Sequence, residues 1–102
     1  MPPIPVDSYV LDTLLPDLVG HDRQPSAILV YLYLWRHAHG ASHFEVQVSL
    51  QEMTLGTGLS KRAVQSALSL LARRRLLSVA RANITAVPRY TVRRPWLRGA
   101  GG

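Results

Sequence analysis

Residues 61–73 contain six side chains that donate hydrogen bonds or carry positive charge, and they contain no carboxylate. If this stretch is a helix, the six share one side of it, because residues three and four apart lie on the same helix face. A solvated helix usually mixes both signs of charge, whereas a helix that faces phosphates and base edges does not. The pattern therefore favours a polyanionic partner. The six residues are Lys61, Arg62, Gln65, Ser66, Ser69 and Arg73.

The other side of the same stretch predicts how this helix is held. Its apolar residues follow the i, i+3, i+4, i+7 spacing of one buried stripe: Val64, Ala67, Leu68 and Leu71. Ser60 stands where a hydroxyl caps the first turn. We therefore expect a helix that buries one face and exposes the donors.

A second, shorter helix is predicted just before this one. Ser49 and Glu52 have the spacing of a capping box, in which each side chain accepts from the other residue's amide. Gly56 and Gly58 are expected to end the helix and turn the chain within three or four residues, because glycine reaches positive φ freely. The two helices together have the layout of a helix-turn-helix.

The run Leu59–Leu68, followed by Leu71 and Leu76-Leu77, resembles the recognition helix of winged helix-turn-helix proteins from bacteria, plasmids and phages. The resemblance covers roughly residues 25–93 and is closest to replication initiators and small repressors. It implies sequence-specific DNA binding. Two residues depart from the family pattern: Thr54 replaces a small alanine, and Arg75 replaces the glycine that ends the recognition helix. We expect either a positive φ at Arg75, at about 1 kcal/mol, or a different helix end.

The predicted fold is mainly α with a small antiparallel β-wing, a winged helix-turn-helix with an N-terminal helical extension. Residues 1–24 form an arm and a short helix, residues 25–96 the winged helix-turn-helix domain, and residues 97–102 a flexible tail. The alternating pattern predicts a first strand over 43–48. Strands over 77–81 and 89–93, with their loop between them, form the wing.

Two apolar helices favour a homodimer. A helix over 9–15, capped by Asp7 or Ser8, has one apolar face that either dimerises, which we favour, or packs within its own chain. The helix from Pro25 to about His39, ended by Gly40, is apolar on every side over 27–35. It must be covered by the helix-turn-helix on one side and by the first helix or a second subunit on the other.

Composition supports one small cytoplasmic domain with a polyanionic partner. Its 102 residues carry 12 cations against 6 acids, a net charge of +6, and no Asp or Glu follows Glu52. The chain has no cysteine, its start lacks a positively charged signal-peptide region, and its longest apolar run is too short for a bilayer. We expect a nucleoid-associated protein that does not enter the membrane.

The sequence shows no set of residues arranged for catalysis. Its carboxylates are scattered, and it has no glycine-rich phosphate loop. His37 and His39 are two apart, which places them on different sides of a helix, so a metal site that also includes His43 is disfavoured. We expect instead that the helix dipole favours these histidines at the C-terminal end of the helix. We expect no enzyme activity, no cofactor and no metal.

These observations predict a double-stranded DNA-binding protein, a transcriptional regulator such as a repressor. The alternatives are a plasmid or phage replication or partition factor, which would use the same contacts, and a winged helix that binds an acidic protein instead. Lys61, Arg62, Gln65, Ser66 and Ser69, with Ser60 at the helix start, should face the major groove. The phosphates should be contacted by Ser49, Arg73, Arg81, Arg89 and Arg93.

Overall fold

A computed structural model describes residues 3–97 of the chain, which fold as a mainly helical domain with a small antiparallel sheet. Two π-helical segments, Val10–Leu14 and Asp17–His21, and one 3₁₀ turn, Ser42–Phe44, accompany the regular elements. The predicted tail at 98–102 and the first two residues of the arm lie outside the described residues. In chain order the regular elements are α1 (Pro25–Ala38), β1 (Glu45–Gln47), α2 (Leu50–Thr57), α3 (Lys61–Arg73), β2 (Leu77–Ala80) and β3 (Arg89–Val92).

The N-terminal segment, residues 8–21, packs its apolar face inside its own chain. Val10, Leu14 and Leu18 recur every four residues and are all buried, a spacing that matches the wider turn of a π-helix. Of the two roles predicted for this helix, intramolecular packing is therefore the one that its buried face performs. Leu11, Leu15 and Val19 lie beside that face and remain exposed.

Contacts with Trp35 of α1 and with Trp96, which follows the sheet, hold residues 5–9 in place. The Trp35 indole donates to the carbonyl of Pro5 at 2.9 Å, and the Trp96 indole donates to the carboxylate of Asp7 at 3.0 Å. The ring of Tyr9 stacks on Trp96 with 4.6 Å between centroids. The Asp7 side chain therefore accepts from Trp96, while its carbonyl accepts the helical hydrogen bond from Val10.

Helix α1 runs through the centre of the domain. It contacts α2, α3, β3 and the N-terminal segment, as its apolar sequence predicts. Tyr31 is fully buried, and its hydroxyl donates to the carbonyl of Arg93 at 2.9 Å. Burial raises the pKa of Tyr31, so the hydroxyl keeps its proton and remains a donor. One side of α1 stays open, with Leu29 46% exposed.

Helix α2 begins at the predicted capping box but ends later than predicted. Ser49 Oγ accepts from the Glu52 amide at 3.1 Å, and Glu52 Oε1 accepts from the Ser49 amide at 3.0 Å. The helix continues through Gly56 and ends at Gly58, which has a φ of 78°. Gly56 serves a different purpose from the predicted turn, because a Cβ there would overlap the ring of Tyr33 on α1. Its missing side chain lets the two helices pack closely.

We predict that Gly56→Ala lowers the free energy of unfolding by about 1 kcal/mol, because the added methyl displaces the Tyr33 ring. In a Tyr33→Ala background the same change should raise stability by about 1 kcal/mol, since alanine is the better helix former and the overlap is gone. Urea unfolding of the four proteins in this cycle gives both numbers. A stabilising effect of Gly56→Ala in the natural background would show that the ring moves aside at little cost.

The sheet has the order β1-β3-β2, with both strand pairs antiparallel. β2 and β3 match the predicted strands and pair from Leu77 opposite Val92 to Ala80 opposite Arg89. β1 is shorter than predicted because residues 42–44 form a 3₁₀ turn in which His43 and Phe44 have positive φ. This turn places the Phe44 ring edge-on against Trp35, with 5.1 Å between centroids. The guanidinium of Arg94 lies 4.4 Å from the centre of the same ring.

Helix α3 ends in a left-handed residue, as the first of the two predicted outcomes states. Arg75 has a φ of 59°, and the Leu76 amide donates to the carbonyl of Leu71 while the Arg75 amide donates to that of Ala72. These two bonds form a Schellman motif with arginine in the position that glycine usually takes. The chain thereby reverses directly into β2 and brings the hairpin (β2, β3 and their loop) back beside α3.

Candidate nucleic-acid interface

The donor side of α3 is open to solvent along its whole length. The opposite side is closed, since Val64, Ala67 and Leu71 are fully buried in the core. At 3.6 residues per turn, the exposed donors cover an arc of about 140° around the helix. They are the six residues predicted from sequence: Lys61, Arg62, Gln65, Ser66, Ser69 and Arg73.

The N-terminus of α3 adds backbone donors to this face. Ser60 Oγ accepts from the Ala63 amide at 3.1 Å, which is the predicted cap. The amides of Lys61 and Arg62 precede the first intrahelical hydrogen bond and therefore have no partner within the helix. Because no acidic side chain lies in this first turn, the positive end of the helix dipole and two cationic side chains act in the same direction. An anion is favoured here.

The N-terminus of α2 differs, because it carries its own anion. The capping box uses both the amide and the hydroxyl oxygen of Ser49, and hydrogen bonding from Ser49 lowers the pKa of the exposed Glu52 carboxyl. A carboxylate at this end repels a phosphate that approaches the same amides. Ser49 therefore caps α2, and its predicted phosphate contact stays a prediction.

The hairpin lies next to α3 and extends the basic surface. A cleft of about 330 Å³ separates the two and is lined by Gln65 and Leu68 of α3 and by Arg81, Thr85 and Tyr90 of the hairpin. Arg81 and Arg89 are exposed at the point where the paired strands meet the hairpin loop, residues 81–88. Neither forms an ion pair with a carboxylate among residues 3–97. Arg81 thus lies beside the α3 donor face, whereas Arg89 lies outside this cleft and pairs with Gln47 of β1.

Arg93 is placed differently from the other predicted cations. It is half-buried, and its Nη1 donates to the hydroxyl of Ser78 on β2 at 3.1 Å. Its carbonyl accepts the Tyr31 hydroxyl, so both ends of the residue join the sheet to its surroundings. Arg93 therefore has a structural role in the sheet, and its predicted phosphate contact stays a prediction.

Arg74, directly after α3, forms ion pairs with two acidic residues of the N-terminal part of the chain. It pairs with Asp17 and with Asp22, the latter at 2.7 Å, and so ties the end of α3 to the N-terminal segment. The hydrogen bond to Asp17 raises the pKa of Arg74. Two of the six acids are consequently paired with one arginine, which directly follows the donor face of α3.

Ile84, at the tip of the hairpin loop, is a candidate contact residue that was not predicted from the sequence. Its side chain is 87% exposed, more than that of any other large apolar residue among residues 3–97. The available signal was an isoleucine in the predicted hairpin loop, next to Asn83. Periodicity could not assign it a role, because a loop has no buried face against which to measure it.

Residues 3–97 contain no group of three histidine, cysteine or acidic side chains that could hold a metal ion. Within the same part of the chain, no helix has both the length and the hydropathy to cross a bilayer. The clefts around α3 and the hairpin are open to solvent, and two residues of the donor face, Lys61 and Gln65, line them. This arrangement is suited to an extended, negatively charged surface.

Comparison with protein-family models, with curated proteins and with solved structures finds no significant match to this chain.

Proposed function

We propose that this chain is a winged helix-turn-helix protein that binds double-stranded DNA in a sequence-specific manner and acts as a transcriptional regulator. The observation that carries the proposal is the exposed donor face of α3 beside a basic hairpin, with no acid after residue 52. In this assignment α2 and α3 are the helix-turn-helix, α3 is the recognition helix and the hairpin is the wing.

The first two turns of α3 would read bases in the major groove. Arg62 can donate two hydrogen bonds to a guanine, and the Gln65 amide can pair with an adenine in the same way. Lys61 and the free amides at the helix start would contact the phosphate at the groove edge. Ser66 and Ser69 follow on the same exposed arc and would contact the next positions.

The remaining cations would set the position of the protein on the duplex. Arg73 lies one turn or more beyond the base-reading residues, and Arg81 and Arg89 lie on the hairpin. Contacts from these residues to phosphates carry little sequence information but contribute most of the salt-dependent affinity. The cleft between Gln65 and the hairpin loop would then receive the phosphate backbone that separates the major groove from the minor groove.

A homodimer is part of the proposal. Leu11, Leu15 and Val19 form an exposed apolar strip on the N-terminal segment, and each is more than a third exposed. Residues of this kind on a small domain favour a protein interface. A twofold dimer would select a palindrome whose half-sites lie about 34–36 Å apart or a multiple of that spacing.

The test that needs no knowledge of the target site is fluorescence anisotropy with random-sequence duplex DNA over a salt series. We expect log affinity to fall with log salt with a slope of about −4 to −8, as several phosphate contacts release counterions. Arg36→Ala removes an exposed cation of α1, outside the proposed surface, and should leave the slope unchanged. Absent or salt-insensitive binding would overturn the proposal and favour an acidic protein partner. A replication or partition factor would give the same slope. It would be distinguished from a transcriptional regulator by the place in the genome where the selected site occurs.

A further inference from the structure

The tip of the hairpin loop contains hydrogen bonds formed by its own side chains. Asn83 Oδ1 accepts from both the amide and the hydroxyl of Thr85, at 3.0 and 2.9 Å, and the Ala86 amide donates to the Asn83 carbonyl at 3.2 Å. Nη1 of Arg81 donates to the carbonyl of Ile84 at 3.2 Å. The loop is therefore a built turn, with Ile84 fixed at its apex.

The exposed isoleucine offers apolar area that a partner can bury. Ile84 is 87% exposed, and the nearby Val87 is 42% exposed, so the turn does not shield the side chain. Because hydrogen bonds already order the backbone on both sides, little further conformational entropy is lost when a partner covers the residue. A rigid turn with an apolar apex is the form of a wedge.

The charges around the tip identify the partner. Arg81 and Arg89 flank the loop, both exposed, and no acidic residue occurs in the sequence after Glu52. Thr85, the neighbour of Ile84, borders the cleft that also contains Gln65 of α3. A partner that meets α3 and the loop together must therefore be polyanionic on its surface and apolar in its interior. Duplex DNA, with phosphates outside and stacked bases inside, has this chemistry.

We propose that Ile84 is a wedge that enters the minor groove next to the α3 contact and partly unstacks one base step. This inference rests on the proposed DNA-binding function and adds to it a preference for deformable DNA. Pyrimidine–purine steps such as TA and CA are the easiest to unstack, so they should occur at a fixed distance from the bases that α3 reads. The preference would arise at positions where no donor of the protein contacts a base edge.

The experiment is a binding-site selection from random-sequence duplexes with the full chain and with Ile84→Ala, carried out in parallel. Both proteins should enrich the same central bases, whereas only the natural protein should enrich a pyrimidine–purine step on the flank. On the selected duplex, Ile84→Ala should bind about 10-fold more weakly, because the buried apolar area is lost. Ile84→Leu should bind within about 3-fold of the natural protein, since it keeps that area. Leu55→Ala, which truncates a 78% exposed leucine of α2, should have no effect.

A direct measurement of base unstacking distinguishes failure of the wedge proposal from failure of the DNA-binding proposal. The fluorescence of 2-aminopurine placed at the flanking step should rise when the natural protein binds and stay low with Ile84→Ala. If the natural protein binds duplex DNA with the expected salt dependence but neither enriches such a step nor raises this fluorescence, the wedge is refuted and the DNA-binding proposal stands. If Ile84→Ala matches the natural protein in both readings, Ile84 does not act as the wedge and the proposal is overturned. If the natural protein does not bind DNA in a salt-dependent manner, both proposals fail together.

Discussion

Replacing Arg62 by alanine should weaken binding to the selected duplex by about 1–3 kcal/mol and relax base choice at one position. Arg62 is exposed in the first turn of α3, where the start of a recognition helix comes closest to the base edges. No carboxylate among residues 3–97 pairs with it, so the loss is one of DNA contacts and not of an internal ion pair. Anisotropy titrations against the selected duplex and its single-base variants measure both effects.

Arg89→Ala provides the contrast for this prediction. Arg89 lies on β3 opposite Ala80 and not on the proposed recognition helix, so its removal should weaken selected and random duplexes by the same factor. The salt slope should become shallower by about 1, as expected for one lost phosphate contact. A change in base preference with Arg89→Ala, at unaltered affinity for random DNA, would show that the hairpin reads sequence and would contradict its assignment to the backbone.

Replacing Leu71 by alanine should lower the free energy of unfolding by about 2–5 kcal/mol. Leu71 is fully buried on the inner side of α3, the helix that makes the most extensive contact with α1. Because a domain of this size is stable by only about 5–15 kcal/mol, the loss is a large share of the total. Urea unfolding followed by far-UV circular dichroism measures it, and DNA binding should weaken only as far as the folded fraction falls.

Leu55→Ala is the matched control for Leu71→Ala, since the same atoms are removed from a side chain that is 78% exposed. Its expected effect lies within about 0.5 kcal/mol of zero. Similar losses for the two variants would mean that α2 buries Leu55 in a contact outside the monomer, whereas a small loss for Leu71→Ala would mean that α3 does not pack as described.

Local patterns in the sequence predict the parts of this structure that depend on neighbours along the chain. The capping box at Ser49 and Glu52, the buried stripe of α3 and the cap at Ser60 all follow from spacing within one or two turns. The hairpin strands lie within a residue of their predicted ends. Arg75 adopts the left-handed conformation that a glycine usually takes, which the pattern of the surrounding helix end identifies.

The features that sequence did not predict depend on distant contacts. The role of Gly56 requires the Tyr33 ring on another helix, and the short β1 follows from a turn that brings Phe44 against Trp35. The bridge from Arg74 to Asp17 and Asp22 joins residues 57 and 52 positions apart. No periodicity encodes such pairs, because they are determined by how the helices meet and not by the spacing within either one.

The contact between Trp96 and Asp7 joins residues 89 positions apart, so it closes a loop that contains nearly the whole described chain. Closing such a loop costs chain entropy, and this cost is offset only after the elements between the two residues have assembled. We therefore expect the strap of residues 5–9 to dock late in folding and to open before the helical core in the native state. Amide hydrogen exchange should show this opening as a separate unit of low local stability, with the end of β3 included.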